Sequence, residues 1–267
     1  MRFWVNSRTS HPERKFKRMP QYKTEAVVLH CRKYREADGL LTLLTSQRGK
    51  VSAVARGVYK PGSKLRSGVQ PFSVDEMLLN QGRSTLHTLL QSQSAEMFLP
   101  LRQSYEAMTY AAYWAELLET FSVEEMADQE LYLLAKAGFY SLCLRADSLT
   151  CRALEVRLFQ QQGLSPDFDH CANCGSGDLK DGRRFFSAAS GGFLCGSCAE
   201  KAQQVIRVGL ASAALWRGLE SMALDKLGRI KAQESQLKEL GVLTRQWILL
   251  QTGRPLKSWP AVKKMEV

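Results

Sequence analysis

The chain has 267 residues, of which 45% are hydrophobic and 24% are charged, and its formal net charge is +11 at pH 7. This composition is typical of an ordinary globular protein of one or two domains that can bury a real core. No apolar run approaches the roughly 18–20 residues of a membrane span, and no apolar stretch follows the charged N-terminus, which argues against a membrane or secreted protein.

The basic excess is concentrated in the first third of the chain. Residues 1–100 contain 17 Lys and Arg against 7 Asp and Glu, whereas residues 101–267 contain 20 against 19. A one-sided basic domain most often contacts a polyanion, although for any one of these charges taken singly a solvated surface residue is the favoured interpretation. The sequence therefore predicts a nucleic-acid-binding N-terminal part.

Residues 1–18 show no apolar periodicity, and Met19 comes just before the first strand-like run. We interpret 1–18 as a disordered or non-native leader and Met19 as the natural start. Without this leader, residues 19–100 still hold 11 basic against 6 acidic side chains, so the charge asymmetry does not depend on it.

Between Thr24 and Phe98, short apolar runs are separated by turn residues, a pattern that predicts a small antiparallel barrel. A flexible basic loop over 57–70 precedes the last hairpin, which is closed at Gln81-Gly82-Arg83. The shortness of the runs and their Gly and Pro punctuation favour strand over helix. The predicted strands cover residues 26–30, 40–45, 51–56, 72–79 and 85–90.

After Pro100 the apolar residues recur every three or four positions, which predicts helices. Asp147 is a candidate N-cap, and Gly163 and Gly253 are candidate helix ends. The predicted helices cover about 101–118, 128–142, 147–163, 209–224 and 233–251. We therefore divide the chain near Pro100, into a barrel domain over 19–99 and a helical domain over 100–267.

Four of the seven cysteines form two Cys-x-x-Cys pairs, Cys171 with Cys174 and Cys195 with Cys198, which are separated by 20 residues. Two such turns joined by a hairpin predict a four-thiolate zinc module over 170–199, with one structural Zn²⁺ per chain. A redox dithiol needs only one pair, and disulfides are unexpected in a chain of this size without a signal peptide. His170 is a weaker candidate for a substitute ligand.

Basic residues cluster at the ends of the predicted strands and in the long loop, with Tyr34, Tyr59 and Phe72 interleaved. Cations can follow a phosphate backbone, and aromatic rings can stack on unpaired bases. The candidate DNA-contacting residues are Arg32, Lys33, Arg35, Lys50, Arg56, Lys60, Lys64 and Arg66.

Catalytic signatures are missing from the sequence. There is no phosphate-binding Gly-x-x-x-x-Gly-Lys-Ser/Thr loop, no Gly-x-Gly-x-x-Gly, no His-Glu-x-x-His and no Gly-x-Ser-x-Gly. We therefore expect a protein that binds and is not an enzyme.

Several segments, in this order and spacing, resemble the RecO family of bacterial recombination mediators. The N-terminal segments are Thr24-Glu-Ala-Val-Val-Leu29, Tyr34-Arg-Glu-Ala-Asp38, Ala55-Arg-Gly57 and Gln70-Pro-Phe72. The later ones are Leu154-Glu-Val-Arg-Leu158, Gly163-Leu-Ser-Pro166, Cys171-Ala-Asn-Cys-Gly175, Gly191-Gly-Phe-Leu-Cys195 and Leu256-Lys-Ser258. Together they extend over about 22–258. Tyr59 departs from the usual pattern, because the family often has a basic residue after the Ala-Arg-Gly stretch.

The resemblance implies an α+β protein with an N-terminal OB-fold barrel followed by an all-helical domain with an inserted four-cysteine zinc module. It also implies binding of single- and double-stranded DNA, annealing of complementary strands, and work with RecR to load RecA on DNA covered by single-strand-binding protein. The acidic tail of that protein is an expected partner, with RecA an indirect one. A cytoplasmic, nucleoid-associated location in a bacterium follows from the same resemblance.

Three alternatives remain open from the residues. A generic zinc-ribbon accessory of transcription or RNA processing would bind nucleic acid without annealing strands. An assembly protein acting through its helices would bind DNA only weakly. A thiol oxidoreductase using Cys195 and Cys198 would have titratable thiols without a chelator.

Overall fold

The computed structural model describes residues 20–82, 85–177 and 184–266. The predicted leader over 1–18, Met19, Arg83 of the predicted turn and Arg183 of the predicted zinc hairpin lie outside these ranges.

Five strands form a closed barrel in the order β1-β2-β3-β5-β4. Strands β3 and β5 pair in parallel, whereas the other neighbours are antiparallel, and the OB-type barrel predicted from the sequence is confirmed. The strands are β1 (Gln21–Tyr34), β2 (Asp38–Thr45), β3 (Gly49–Ala55), β4 (Val74–Asn80) and β5 (Leu86–Glu96). Because β1 is longer than predicted, Arg32 and Lys33 lie within this strand and not after it.

The run Ala26-Val27-Val28-Leu29 is continuously apolar because β1 is buried on both faces. Ala26 and Val28 belong to the interior of the barrel. Val27 and Leu29 point the other way, into the core of the helical domain. Alternate side chains of a strand leave on opposite faces, so a strand between two cores needs no polar positions.

The helical domain is built around α3, which is buried along most of its length. Asp128 caps α2 by accepting from the Leu131 amide at 2.8 Å, and Asp147 caps α3 by accepting from the Thr150 amide at 2.9 Å. No helix in the described ranges is long and apolar enough to cross a membrane. The helices are α1 (Tyr105–Phe121), α2 (Gln129–Leu144), α3 (Ser148–Gln161), α4 (Gly196–Ala199), α5 (Leu210–Ser221), α6 (Glu234–Thr252) and α7 (Trp259–Met265).

The start of α1 and the last helix differ from the sequence prediction. Leu101 lies in a separate 3-10 turn (Leu99–Arg102), because Ser104 caps α1 by accepting from the Ala107 amide at 2.9 Å. Helix α7 was not predicted. Its first turn is held by Glu116 of α1, whose carboxylate accepts from the Lys257 and Ser258 amides at 2.8 Å.

The barrel and the helical domain are joined by backbone contact as well as by side chains. Lys50 of β3 forms an isolated bridge with Glu124, and the preceding residue, Gly49, has a φ of 61°. A Cβ atom at Gly49 would lie 1.8 Å from the Met126 carbonyl oxygen, so only glycine permits this approach. Phe139 of α2 stacks on Phe72 of the barrel at 5.6 Å between ring centroids, which joins the two cores.

Candidate metal centre and nucleic-acid interface

The four cysteines of the two pairs meet in space. The sulfur atoms of Cys171, Cys174, Cys195 and Cys198 all lie within 4.8 Å of one another, and those of Cys174 and Cys195 are 3.9 Å apart. A tetrahedral metal with bonds of about 2.3 Å to sulfur requires neighbouring sulfurs about 3.8 Å apart. The cluster therefore has the dimensions of a closed four-thiolate metal site, which leaves no position for a substrate.

Backbone hydrogen bonds and a short helix hold each pair in a tight turn. The Gly175 amide donates to the Cys171 carbonyl at 2.8 Å, and Cys195 precedes α4, which places Cys198 one helical turn later. Burial acts to raise the pKa of Cys171, but the backbone amides of Cys195, Cys174 and Asn173 outweigh it and lower the pKa to about 6. The hydrogen bond from the Asn173 side chain acts to lower the pKa of Cys198, but its contacts with the other sulfurs raise this pKa to about 11. A metal binds the thiolate form, which Cys171 therefore supplies more readily than Cys198.

The module rests on the helical domain through aromatic side chains. Strands β6 (Arg184–Ser187), β7 (Gly192–Leu194) and β8 (Ile206–Val208) form a small sheet in the order β7-β6-β8. Phe186 of β6 packs on Trp247 of α6 with centroids 5.7 Å apart. His170 bonds to Asp167 at 2.9 Å and is not among the cluster's ligands, so the four sulfurs form the candidate site without it.

Six of the eight candidate DNA-contacting residues lie at or beside one end of the barrel. The register brings Lys33 opposite Gly39, and Gly39 opposite Ala55, so the end of β1, the β1–β2 turn and the end of β3 are adjacent. We call this surface the basic end. It comprises Arg32, Lys33, Arg35, Arg56, Lys60 and Arg66, all of them exposed.

The loop that carries Lys60 and Arg66 is held at its first end by hydrogen bonds to the β1–β2 turn. The Gly57 amide donates to the Asp38 carboxylate at 2.7 Å, and the Tyr59 amide donates to the Ala37 carbonyl at 2.9 Å. Between these points and Gly68, the chain makes successive turns closed by backbone bonds of 3.0–3.3 Å. An ordered loop holds its cations in place before a ligand binds, which lowers the entropy lost on binding.

At its far end the loop lies directly on β5. The Ser92 hydroxyl donates to the Gly68 carbonyl at 3.1 Å. A Cβ atom at position 68 would lie 2.2 Å from the Ser92 hydroxyl oxygen, so glycine is required for this contact. Beside it lies Asp75, which is fully buried, accepts from the Ser73 hydroxyl at 2.5 Å, and has its pKa raised by burial. Burial of this carboxyl beside the loop could not be predicted from the sequence.

Two predicted contact residues lie elsewhere. Lys50 is at the opposite end of the barrel, where its amine donates to the Glu119 carbonyl at 2.9 Å beneath α1. Lys64 lines a separate open groove of about 740 Å³ over β4 and β5. Among the interleaved aromatics, Phe72 is a core residue with 5% of its surface exposed, whereas Tyr59 is 40% exposed at the basic end. Tyr59 is therefore the better placed ring for stacking on a base.

The fold and the sites define the class to which this protein belongs: an OB-like barrel with a basic end, joined to a helical domain that carries a four-cysteine metal module. Two family models agree with this division of the chain. Recombination protein O N terminal matches residues 19–98, and Recombination protein O C terminal matches residues 102–260.

Curated relatives cover the chain almost from end to end. A protein of Desulforamulus reducens, named DNA repair protein RecO, is 32% identical over 240 residues, which are 90% of this chain and 93% of the relative. A protein of Pelotomaculum thermopropionicum with the same name is 32% identical over 241 residues, again 90% and 93% of the two chains. The chain belongs to the RecO family of DNA repair proteins.

Proposed function

We propose that this protein is a recombination mediator that binds single- and double-stranded DNA through the barrel domain, 19–99, and anneals complementary strands. With RecR it helps to load RecA on DNA coated by single-strand-binding protein, and it contacts the C-terminal tail of that protein. It acts in the bacterial cytoplasm, associated with the nucleoid.

The basic end carries this proposal. Its six cations lie on adjacent strand ends and on a loop that Asp38 holds in place, and the same loop exposes the ring of Tyr59. A phosphate backbone needs such a track of cations, and an aromatic ring adds about 1–3 kcal/mol for each base it stacks on. Lys50 has no part in this surface, because its amine is held beneath α1.

Annealing by such a surface requires no bond chemistry. Two strands repel each other through their phosphates, and a cationic surface that screens both backbones allows the bases to meet and pair. The same contacts are independent of base identity, which suits a protein that acts on any sequence.

The metal in the four-cysteine site is proposed to be one structural Zn²⁺ per chain. Four soft thiolates at tetrahedral spacing are the ligand set that zinc prefers in structural sites, and zinc brings no redox chemistry of its own. It would fix the segment 170–199 on the helical domain, with no direct part in DNA binding.

The paired substitution Arg56→Gln with Lys60→Gln is expected to weaken binding of single-stranded DNA to a similar degree for every sequence. Each lost phosphate contact lowers the slope of log K against log salt concentration by about 0.7, so the pair should lower it by about 1.4. Oligonucleotide binding across a salt series measures this slope. Lys226→Gln, an exposed lysine of the helical domain, is the control for loss of charge. An unchanged slope in the paired variant would place the DNA site elsewhere.

A further inference from the structure

A second basic surface lies on the helical domain, in a groove of about 590 Å³ between α6 and α7. Helix α6 contributes Lys238, Val242, Arg245 and Leu249, whose spacing of four, three and four residues places them on one face. Helix α7 contributes Trp259 and Lys263, which are one helical turn apart. The groove therefore has an apolar floor and a cationic rim.

Two of the three cations of this groove, Arg245 and Lys263, are available to a ligand, whereas Lys238 pairs with Glu234 at 2.8 Å. Arg245 and Lys263 are exposed, and within the described ranges neither forms a salt bridge with an acidic side chain. The acidic side chain on the rim, Glu266, lies 3.4 Å from the buried Arg152, which offsets its charge. The floor is apolar and accessible, since Val242 is 49% exposed and Leu249 is 46% exposed.

The groove continues toward the basic end of the barrel. Next to it lies Arg254. The hydrogen bond with His30 lowers the pKa of Glu119, and the nearby charges of Lys50 and Arg254 lower it further. Glu119 pairs with His30 of β1 at 3.0 Å. His30 is two residues before Arg32, so both side chains leave β1 on the same face. A path along the surface thus leads from Arg32 past the His30–Glu119 pair and Arg254 to Arg245.

We infer that the α6–α7 groove is a second nucleic-acid-binding segment, which holds the part of a single DNA strand that extends beyond the barrel. Arg254, Arg245 and Lys263 contact its phosphates, and a base packs on the floor formed by Val242 and Leu249. This inference rests on the proposed function, because the strand reaches the groove from the basic end.

Charge and continuity favour a DNA strand over an acidic peptide as the occupant. Cations alternate with apolar side chains along α6, which matches a polymer that repeats one phosphate and one base. A short acidic peptide could fill the groove but would gain nothing from the path that leads to Arg32. A strand long enough to leave the basic end meets the groove next.

The paired substitution Arg245→Gln with Lys263→Gln tests this inference in the full-length protein. Binding is measured over a salt series with two single-stranded oligonucleotides, one of about 8 nucleotides, within the site size of one OB-fold, and one of about 30. The variant should bind the short oligonucleotide like the wild type. For the long one, its salt slope should fall by about 1.4. Lys201→Gln with Lys226→Gln removes equal charge outside the groove and should change neither slope.

The possible results separate the inference from the function on which it rests. If Arg56→Gln with Lys60→Gln weakens binding of the short oligonucleotide but the groove variant behaves like its control on the long one, the inference is wrong and the basic end stands. If neither paired variant changes any salt slope, both the inference and the proposed DNA site at the basic end are wrong. If the groove variant loses only the binding of a polyglutamate peptide, the groove takes an acidic peptide and the inference is overturned.

Discussion

The substitution Cys174→Ser is expected to abolish metal binding and to unfold the sheet of the zinc module. Zinc binding in small four-ligand modules contributes on the order of 10–16 kcal/mol, far more than a segment of this length gains from packing. Replacing one thiolate leaves three sulfurs around a metal that requires four. Cys198→Ser should have the same effect, because the four sulfurs form one cluster.

Elemental analysis should find close to zero zinc per chain in the purified variant and one zinc per chain in the wild type. Amides in β6 and β7 should lose their protection from hydrogen exchange. The Ala172 amide, which donates to the Phe193 carbonyl of β7 at 2.8 Å, should lose its protection as well. Cys143→Ser is the matched control, since Cys143 lies in α2, outside the cluster. Full zinc content in the double variant Cys174→Ser with Cys198→Ser would contradict the assignment of the site.

Loss of the metal should leave DNA binding by the barrel largely intact. The interior of the barrel is formed by its own strands and loop, with no residue of the zinc module. We therefore expect the salt slope for a short oligonucleotide to be the same in Cys174→Ser and in the wild type.

The second large effect is expected from Arg152→Met, which removes the charge at the centre of the helical domain. The side chains of Arg152 and Glu155 are both fully buried, with 3.1 Å between Nε and Oε2. Tyr113 donates to the other oxygen of Glu155, and the Arg152 guanidinium also reaches Thr244 at 3.4 Å. Removing one partner of a buried ion pair strands the other charge, which costs about 3–5 kcal/mol in the free energy of unfolding.

The loss of stability in Arg152→Met should depend on pH. Burial raises the pKa of Glu155, and the Arg152 charge opposes this rise. Without Arg152 the pKa of Glu155 in the folded protein rises further. Below the ordinary pKa of a glutamate, Glu155 is protonated in both the folded and the unfolded variant and causes no loss of stability. As the pH increases from there toward the raised pKa, the variant loses free energy of unfolding. The deficit relative to the wild type should therefore be smaller near about pH 5 than near about pH 8.

Urea unfolding at the two pH values measures this deficit. Glu234→Gln is the control, because it breaks an exposed pair with Lys238 at 2.8 Å and should change stability by at most about 1 kcal/mol. If Arg152→Met lowered the free energy of unfolding as little as Glu234→Gln, the buried network would have no structural role.

Local features of the fold were predictable from the sequence because local contacts determine them. The aspartates at 128 and 147 cap the helices that follow them, and both cysteine pairs form the tight turns that their spacing implies. The barrel strands were identified by short apolar runs. Helix α7 was not, since it depends on Glu116, which is more than a hundred residues earlier in the chain.

Which of the predicted contact residues lie together on the surface depends on tertiary contacts that cannot be read from the sequence. Lys50 follows a turn, as Lys60 does, but the β2–β3 turn packs under α1 and the 57–60 turn faces solvent. Phe72, at the start of a predicted strand, was a candidate for stacking on a base, yet it packs on Phe139. Glu155 carried no sign of burial, since a charged residue on a helix is normally solvated.

Annealing of two complementary oligonucleotides, each coated with single-strand-binding protein and without nucleotide, tests the central claim most directly. The wild type should accelerate annealing, the acceleration should disappear at high salt, and Arg56→Gln with Lys60→Gln should reduce it strongly. Ordinary DNA binding without acceleration by the wild type would contradict the account and would favour a zinc-ribbon accessory that binds nucleic acid but does not pair strands.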